Sequence, residues 1–403
     1  MQQSRKIQQL RLVFWWPTAC RSIMPLVREL AELCTNGVRI IVQEKVGSNR
    51  RKFGWQADHA GNAEFEVLPV NNRWRDVERI LIEESQSFHV IGGYQRIPLH
   101  RQIISYAKAQ DIAYGIMAEA PLKFELSWKS FSKTIYFESI VRARTSLVKE
   151  KSKFFACLSG HSYDTLLKVG WPIEKIYPFG YFPQAKDVKV SFQSSNKQEG
   201  CQLLCMGTLH KYKGVDLLLK AIYMAQKLGS NCTINIIGDG PERIKLEALT
   251  KRLKIQECVK FHGFISDSAL NGVIEQSDVL VCPGIAEPWG IRINEGIQSG
   301  LAIIASDRLG ASKLVETSGA GILFKSGDVG ELAEAIRVVS TKTTDIVESF
   351  KRKASEYSEM IHPRVAAEHF YQIIEHSIGN IHERPFNPWQ KLSHREKISI
   401  YHS

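Results

Sequence analysis

The chain has 403 residues, 44% of them hydrophobic, and a formal net charge of +11. This length predicts two or three domains with full cores, and the sequence has no apolar run of 18 residues that could span a membrane. The apolar run at residues 12–16 is too short for a secretion signal. We therefore expect a cytoplasmic protein whose eight cysteines, which show no C-x-x-C spacing, stay reduced and bind no metal.

The positive charge is concentrated in the N-terminal half of the chain. Residues 1–199 carry 29 Lys and Arg against 19 Asp and Glu, whereas residues 200–403 carry 24 against 23. A one-sided basic surface favours an anionic neighbour such as lipid, a polyanionic acceptor or nucleic acid. Because no nucleic-acid-binding motif accompanies the charge, we expect no nucleic-acid partner.

Strands and helices alternate through the first half of the chain. This alternation predicts β-α-β units, which right-handed crossovers assemble into a parallel sheet. The predicted strands are residues 10–15, 38–43, 65–69, 90–91, 113–117, 154–158 and 176–178. The predicted helices are residues 23–34, 75–88, 98–110 and 162–169.

The segment at residues 123–153 interrupts this alternation. Its apolar residues, among them Trp128, Phe131 and Tyr136, are interleaved with lysines and arginines. Because a basic helical segment with aromatic residues can lie in a membrane interface, one interpretation is contact with an anionic membrane surface. The other interpretation is core packing, which is more common for apolar residues at helical spacing.

A polar segment at residues 184–200 has no periodicity, which is typical of a linker. After it the alternation resumes and predicts a second doubly wound domain. The strands are residues 202–206, 233–237, 259–264, 278–282 and 301–305, and the helices are 215–228, 266–275, 328–340, 344–360 and 364–378. We therefore predict an N-terminal domain at 1–183 and a C-terminal domain at 201–375. A tail follows at 376–403, and the sequence leaves open whether it packs on the N-terminal domain.

Between the last two of these strands the chain reads I-A-E-P-W-G-I-R-I-N-E-G-I-Q-S-G. Glu287 and Glu295 follow the carboxyl end of a parallel strand, where doubly wound sheets bind ligands. Gly290 lets a ligand approach the backbone, and the N–H groups of Ile291 and Arg292 at the helix start form a seat for an anion. The carboxylates can accept hydrogen bonds from sugar hydroxyl groups, and the N–H groups beside them can bind a phosphate. The stretch therefore predicts a site for a nucleotide-activated sugar.

This stretch resembles the E-x7-E motif of the GT4 family of retaining glycosyltransferases. Three further stretches follow that family in order between residues 200 and about 375. G-T-L-H-K-Y-K-G resembles its G-R-L…K-G stretch, I-I-G-D-G-P-E-R its G-x-G-P turn, and F-H-G-F-I-S-D its nucleobase loop. The resemblance implies the α/β GT-B fold, with two Rossmann-like doubly wound domains facing each other across a cleft.

The resemblance also implies roles for residues of a donor site. By position, Lys213 would bind the donor diphosphate, Glu287 would contact the transferred hexose as a catalytic residue, and Glu295 would hold the ribose diol. Other donor-binding positions would act through their backbone, three at the phosphates and two at the base. These positions are Gly290, Ile291, Arg292, Phe264 and Ile265.

The chain departs from the family at two places. The family's arginine after the first glycine is Thr208 here, and we hypothesise that Arg292 supplies the missing cation; the alternative is that Arg292 faces solvent. The family's glycine-rich loop after the first strand is P-T-A-C-R-S here. In the family the backbone of this loop approaches the β-phosphate, and we hypothesise that a hydroxyl of Thr18 or Ser22 makes this contact instead.

Candidate residues on the acceptor side follow strands of the first domain. Glu119 is the catalytic candidate, and Gly93, Tyr94 and His161 accompany it. The alternative for Glu119 is a turn residue that caps the next helix.

The resemblance implies a retaining hexosyltransferase that needs neither a metal nor a cofactor. The expected reaction moves a sugar from a UDP- or GDP-sugar to a lipid-linked or polysaccharide acceptor, at the inner face of the membrane. The family implies front-face attack, with the leaving phosphate accepting the proton. Because one arginine and the glycine loop are missing, the alternative is a catalytically degenerate GT-B protein that binds a sugar nucleotide as a scaffold or regulatory subunit. A sugar-nucleotide epimerase shares the fold but is not indicated by the E-P-W-G string.

Overall fold

The computed structural model describes residues 10–46, 59–71, 73–93, 97–119, 142–143, 145–146, 148–160, 163–185, 200–285, 287–341 and 344–389. The chain separates into two compact units. Unit 1 comprises Met1–Gln184 and Pro363–Ser403, and unit 2 comprises Ala185–His362. Among the described residues, no helix is both long and apolar enough to span a membrane.

Unit 1 is built on a parallel sheet, as the alternation predicts. Its strands are β1 (Leu12–Thr18), β2 (Val38–Glu44), β3 (Glu64–Val67), β4 (Phe88–Gly92), β5 (Tyr114–Ala118), β6 (Phe155–Cys157) and β7 (Ile176–Pro178). They lie in the order β3-β2-β1-β4-β5-β6-β7. The helices before the linker are α1 (Met24–Leu33), α2 (Arg73–Glu83), α3 (Pro98–Ala109) and α4 (Tyr163–Lys168).

Unit 2 contains a second parallel sheet. Its strands are β8 (Cys201–Met206), β9 (Cys232–Ile237), β10 (Val259–Gly263), β11 (Val279–Cys282), β12 (Ala302–Ser306) and β13 (Gly321–Phe324), in the order β10-β9-β8-β11-β12-β13. Its helices are α5 (Val215–Lys227), α6 (Arg243–Leu253), α7 (Asp267–Glu275), α8 (Arg292–Gln298), α9 (Ser312–Ser318), α10 (Val329–Thr341) and α11 (Thr344–Ser358). Strand β13 is not among the predicted elements, because four residues are too few to show a period.

The central strands of both sheets carry apolar side chains on both faces of the sheet. Leu203, Val279 and Ile304 of unit 2 are buried against the apolar face of α5, which includes Leu218 and Ile222. Parallel strands covered on both faces become continuous apolar runs of this kind. The strand order reverses between β8 and β11, so the loops that follow these two strands diverge and leave a crevice at their carboxyl ends.

The C-terminal boundary differs from the prediction. The sequence placed residues up to 375 in the C-terminal domain, but unit 2 ends at His362 and the last helix, α12 (Pro363–Ser377), belongs to unit 1. There α12 packs on α1, and Phe370 lies 6.1 Å from Phe14 between ring centroids. The apolar face of α12 predicts that the helix is buried, but not which sheet it is buried against.

The described part of the tail also packs on unit 1. The guanidinium of Arg384 lies 4.5 Å above the ring of Tyr177, and Trp389 is fully buried with its ring 5.5 Å from that of Phe179. Most of two other predicted segments lies outside the described residues. The linker is described only at residues 184, 185 and 200, and Val148 of the basic segment at 123–153 is in the core of unit 1.

Candidate functional site

A pocket lies in unit 2 at the crevice between β8 and β11. Its lining comes from the loops after these two strands, the start of α8 and the turn after β12. The lining residues that the sequence predicted are Thr208, Lys213, Glu287, Gly290 and Arg292. Further lining residues, which were not predicted from the sequence, include Cys205, Gly207, Cys282, Gly284 and Leu309.

Lys213 reaches this pocket from a single 3-10 turn, Lys211–Lys213, that ends at Gly214. Gly214 has φ +68° and starts α5, and a Cβ there would lie 2.1 Å from the carbonyl oxygen of Pro283. Only glycine fits such a left-handed, crowded position. The close approach holds the turn of Lys213 directly against the loop that follows β11.

The ammonium of Lys213 pairs with the carboxylate of Glu287. Nζ donates to Oε2 over 2.7 Å, and the two side chains are only 21% and 17% exposed. Two predicted site residues that are 74 positions apart therefore meet in one half-buried ion pair.

Backbone contacts fix the loop that carries Glu287. Glu287 and Leu309 form an isolated parallel bridge, and the amide of Gly310 donates to the carbonyl of Glu287 over 3.2 Å. Two residues after Glu287, the indole Nε1 of the buried Trp289 donates to Oδ1 of Asn294 over 2.8 Å. The E-P-W-G string thus anchors the loop to α8 and to the turn after β12.

Arg292 and Glu295 form a second ion pair in the first turn of α8. Nη1 of Arg292 lies 2.5 Å from Oε2 of Glu295, and the two side chains are 28% and 16% exposed. Attraction to the Glu295 carboxylate, partly opposed by burial, raises the pKa of Arg292. Arg292 lines the pocket. That its cation replaces the missing family arginine stays a prediction. The sequence predicted separate roles for these two residues, Glu295 at the ribose diol and Arg292 at the phosphates, and did not predict their pairing.

The pocket lining therefore holds the two cations Lys213 and Arg292, the carboxylate of Glu287 and two uncharged thiols. Glu295 is not part of this lining and reaches the site only through its ion pair with Arg292. Burial raises the pKa of Cys205 to about 12 and that of Cys282 well above its ordinary value, so both cysteines are neutral at physiological pH. All eight cysteines of the chain are free thiols. Among the described residues, no group of three or more His, Cys, Asp or Glu side chains is arranged to hold a metal ion.

The predicted base-binding residues lie beside this site rather than in its lining. Phe264 and Ile265 follow β10, and the ring of Phe264 is exposed. The amide of Gly238 donates to the carbonyl of Gly263 over 2.8 Å, which holds the loop before Phe264 against the end of β9. Ile291 is the N-cap residue of α8, and its carbonyl accepts from the amide of Glu295.

The acceptor-side candidates belong to unit 1. Gly93 directly follows β4 and Glu119 directly follows β5. An oxygen of the Glu119 carboxylate accepts a hydrogen bond of 3.1 Å from the hydroxyl of Tyr181. Tyr94 and His161 lie outside the described residues. In the loop after β1, Sγ of Cys20 and Oγ of Ser22 are hydrogen-bonded at 3.0 Å.

Related sequences cover mainly the second half of the chain. Residues 187–357 match the family described as Glycosyl transferases group 1. Alpha-D-kanosaminyltransferase of Streptomyces kanamyceticus is 28% identical over 177 residues, which are 42% of this chain and 46% of the relative. The lipopolysaccharide core biosynthesis glycosyltransferase LpsD of Rhizobium meliloti is 33% identical over 132 residues, 33% of this chain and 37% of the relative. The chain thus spans about half the length of these relatives, or less.

Solved structures match both units. HepE of Anabaena in complex with UDP gives a TM-score of 0.68 at 16% identity, over 92% of this chain and 100% of that chain. WaaG, a glycosyltransferase involved in lipopolysaccharide biosynthesis, gives 0.61 at 18% identity, over 90% and 99%. These matches, together with the two parallel sheets, establish the GT-B fold. The segment that matches the glycosyl transferases group 1 family, residues 187–357, contains both the Lys213–Glu287 and the Arg292–Glu295 ion pair.

Proposed function

We propose that this protein is a retaining, metal-independent glycosyltransferase that moves a sugar from a UDP- or GDP-sugar to a lipid-linked or polysaccharide acceptor. The observation that carries the proposal is the arrangement of two ion pairs, Lys213–Glu287 and Arg292–Glu295, at the crevice between β8 and β11. A nucleotide sugar presents two kinds of group, anionic phosphates and neutral hydroxyls. The two pairs supply a partner for each kind.

The cations are the proposed phosphate ligands. Each is balanced by a carboxylate in the absence of donor, which offsets the cost of keeping it partly buried. When a diphosphate binds, Lys213 and Arg292 turn their N–H donors to its oxygens, and charge-assisted hydrogen bonds of this type are the stronger ones. Arg292 here replaces the family arginine whose place Thr208 takes.

The carboxylates are the proposed hydroxyl ligands. Glu287 accepts hydrogen bonds from the transferred hexose, and Glu295 accepts them from the ribose diol, because a carboxylate has acceptor sites for two hydroxyls at once. Both glutamates sit on loops and turns fixed by backbone contacts, so that their geometry is set before the donor arrives. The site then positions the anomeric carbon beside Lys213 and Glu287.

The proposed reaction breaks the bond between the anomeric carbon and the β-phosphate oxygen, whose electron pair stays on the phosphate. The acceptor hydroxyl oxygen forms the new bond on the same face, and its proton passes to the departing phosphate oxygen. Lys213 and Arg292 stabilise the charge that develops on that oxygen. The configuration at the anomeric carbon is thereby retained.

The acceptor class is inferred from the charge of the chain and from the names of its relatives. The excess of basic residues lies in residues 1–199, on the side assigned to the acceptor. LpsD is named for lipopolysaccharide core biosynthesis and AmsK of Erwinia amylovora for amylovoran biosynthesis. The name of LpsD refers to a saccharide linked to a lipid, and this supports a lipid-linked or polysaccharide acceptor at a membrane surface for the present chain.

Calorimetric titration with UDP, GDP and ADP tests the donor site. We expect one nucleotide to bind at micromolar strength, and Lys213→Ala and Glu295→Ala each to weaken it about tenfold, which corresponds to about 1.4 kcal/mol. Lys211→Ala is the matched control, because Lys211 lies in the same turn but pairs with Asp216. Failure of all three nucleotides to bind would refute the donor site.

A measurement of turnover distinguishes an enzyme from a catalytically degenerate protein that only binds the sugar nucleotide. The replacement of the family arginine by Thr208 favours this second possibility. Incubation with the sugar nucleotides of the base selected above and with simple methyl glycosides as acceptors, followed by NMR of the anomeric protons, reports both release of the diphosphate and the configuration of the new glycosidic bond. We expect release that persists in EDTA and a product with the configuration of the donor. Tight nucleotide binding without any release would support the scaffold instead.

A further inference from the structure

Tyr181 and Glu119 meet at the carboxyl edge of the sheet of unit 1. Tyr181 lies three residues after β7 and Glu119 lies directly after β5, and the phenol hydroxyl donates to Oε1 of the carboxylate over 3.1 Å. Strand β6 lies between β5 and β7, so the bond joins the loops of two strands that are not neighbours. Open parallel sheets bind ligands at this edge. Glu119 was predicted there as an acceptor-side residue, but Tyr181 was not predicted from the sequence.

Backbone hydrogen bonds hold the chain beside both residues. The amide of Leu158, the residue after β6, donates to the carbonyl of Ala118 over 3.0 Å. The amide of Phe179, the residue after β7, donates to the carbonyl of Cys157 over 2.9 Å. These bonds continue the pairing of β5 with β6 and of β6 with β7. The sheet therefore fixes the backbone beside each member of the pair.

Buried aromatic rings fix the turn that carries Tyr181. Phe179 and Phe182, on either side of it in the chain, are each 1% exposed, and their ring centroids are 5.6 Å apart. Trp389 of the tail packs on both rings, with centroid distances of 5.5 Å and 4.3 Å. Tyr181 itself is only partly buried. Apolar packing thus explains the two phenylalanines, whereas the phenol of Tyr181 has a carboxylate as its partner.

We propose that Tyr181 positions the carboxylate of Glu119 to accept a hydrogen bond from a hydroxyl of the acceptor saccharide other than the attacking one. This proposal rests on the proposed function and names the group of unit 1 that orients the acceptor. Tyr181 acts through Glu119 and is a positioning residue, whereas Glu119 contacts the substrate. The attacking hydroxyl keeps its proton for the departing phosphate oxygen, as the proposed reaction requires.

The chemistry of the pair suits this role. An ionised carboxylate only accepts hydrogen bonds and has about four lone-pair sites, so one bond from a phenol is compatible with another from a saccharide hydroxyl. A glutamate side chain that is not held loses rotamer freedom when a ligand orders it. Because the phenol orders Glu119 beforehand, less of that entropy is lost when the acceptor binds. A preordered carboxylate also fixes the orientation of the saccharide, which favours attack by one of its hydroxyls.

Kinetics with saccharide acceptors test this role on the full chain. The acceptor probes are methyl β-D-glucopyranoside, methyl β-D-galactopyranoside and methyl α-D-mannopyranoside, each varied at a saturating concentration of the sugar nucleotide. Tyr181→Phe keeps the ring and removes the hydroxyl. We expect it to lower kcat/KM for the accepting glycoside about tenfold, mainly through a higher KM, while the Kd of the nucleoside diphosphate changes less than about twofold.

A double variant shows whether Tyr181 acts through Glu119. Glu119→Gln should lower kcat/KM for the acceptor at least as far as Tyr181→Phe does. The double variant should be no worse than Glu119→Gln alone, because the effects of two residues in contact are not additive when one acts through the other. Losses that multiply in the double variant would show a separate structural effect of Tyr181 and overturn its positioning role.

Tyr106→Phe is the matched control. Tyr106 is also a partly buried tyrosine of unit 1, but it lies in the last turn of α3, with its ring centroid 5.9 Å from that of Trp74. Equal kcat/KM in the Tyr106→Phe and Tyr181→Phe variants would also overturn the positioning role, and the proposed function would stand if nucleotide binding and transfer persist. If no nucleotide binds or no glycoside receives the sugar, the proposed function fails and the positioning role fails with it.

Discussion

Nζ of Lys213 lies 2.7 Å from Oε2 of Glu287, and a close approach of Gly214 to Pro283 holds the two loops that carry them together. Neither side chain is far from solvent, and each neutralises the other. An ion pair at the mouth of a pocket is a poor source of stability. It is, however, a suitable resting arrangement for a site in which both members later bind parts of one substrate.

Glu287→Gln tests the catalytic half of this pair. The amide keeps the shape of the side chain but removes the charge, so we expect the turnover number to fall about 10²–10³-fold, as for removal of one preorganised polar group in an active site. Nucleotide affinity should be unchanged or higher, because one negative charge leaves the phosphate pocket. Steady-state kinetics and calorimetry measure the two effects; Glu316→Gln, at an exposed residue of α9, is the control. Loss of turnover only in proportion to lost nucleotide binding would contradict a role in the reaction.

Gly214→Ala tests the turn that positions Lys213. A left-handed φ strains any residue other than glycine by about 1–2 kcal/mol, and at Gly214 the added Cβ also meets the carbonyl of Pro283 at 2.1 Å. We expect nucleotide affinity to fall about tenfold or more, since the turn must move away from the loop of Glu287. Gly229→Ala is a close control, because Gly229 has φ +86° and nothing within 4 Å of the added Cβ. Equal affinity of the two variants would show that the clash at Gly214 is absorbed without moving Lys213.

The meeting of Lys213 and Glu287 was predictable because both follow strands of one parallel sheet, and the carboxyl ends of such strands share an edge. The pairing of Arg292 with Glu295 was open to prediction as well, since residues three apart on a helix are neighbours. The pairing was not predicted, because Arg292 was assigned to the phosphates of the donor and Glu295 to its ribose. The return of α12 to unit 1 was not predictable, because an apolar helix face fits either sheet.

Trp389→Ala tests whether the tail is an integral part of unit 1. Trp389 is fully buried, with ring centroids 4.3 Å from Phe182 and 5.0 Å from His369. Truncation of a buried tryptophan leaves a large cavity, so we expect a loss of about 3–5 kcal/mol in the unfolding free energy of unit 1. Urea unfolding followed by near-UV circular dichroism measures it. Phe386→Ala is the control, since Phe386 is an exposed aromatic residue three positions earlier. Similar small effects of both substitutions would contradict the packing of the tail.

Three buried histidines should make unit 1 sensitive to acid. Burial lowers the pKa of His89 and His100 to about 4 and that of His369 to about 3. Between its ordinary pKa of about 6.5 and its lowered pKa in the folded protein, each histidine binds a proton in the unfolded chain but not in the folded one. Stability is therefore complete above pH 6.5 and declines as the pH falls from 6.5 towards 4.

His369→Phe isolates one of these contributions. The ring of His369 stacks on Phe179 and its Nδ1 has no hydrogen-bond partner among the described residues, so phenylalanine preserves the packing and removes the proton-binding group. We expect little change in unfolding free energy at pH 7.5, and at pH 5 a gain of about 1–2 kcal/mol over the wild type. Urea unfolding at the two pH values gives both differences. If the variant loses stability between pH 7.5 and pH 5 as steeply as the wild type does, protonation of His369 is not part of the acid sensitivity of unit 1.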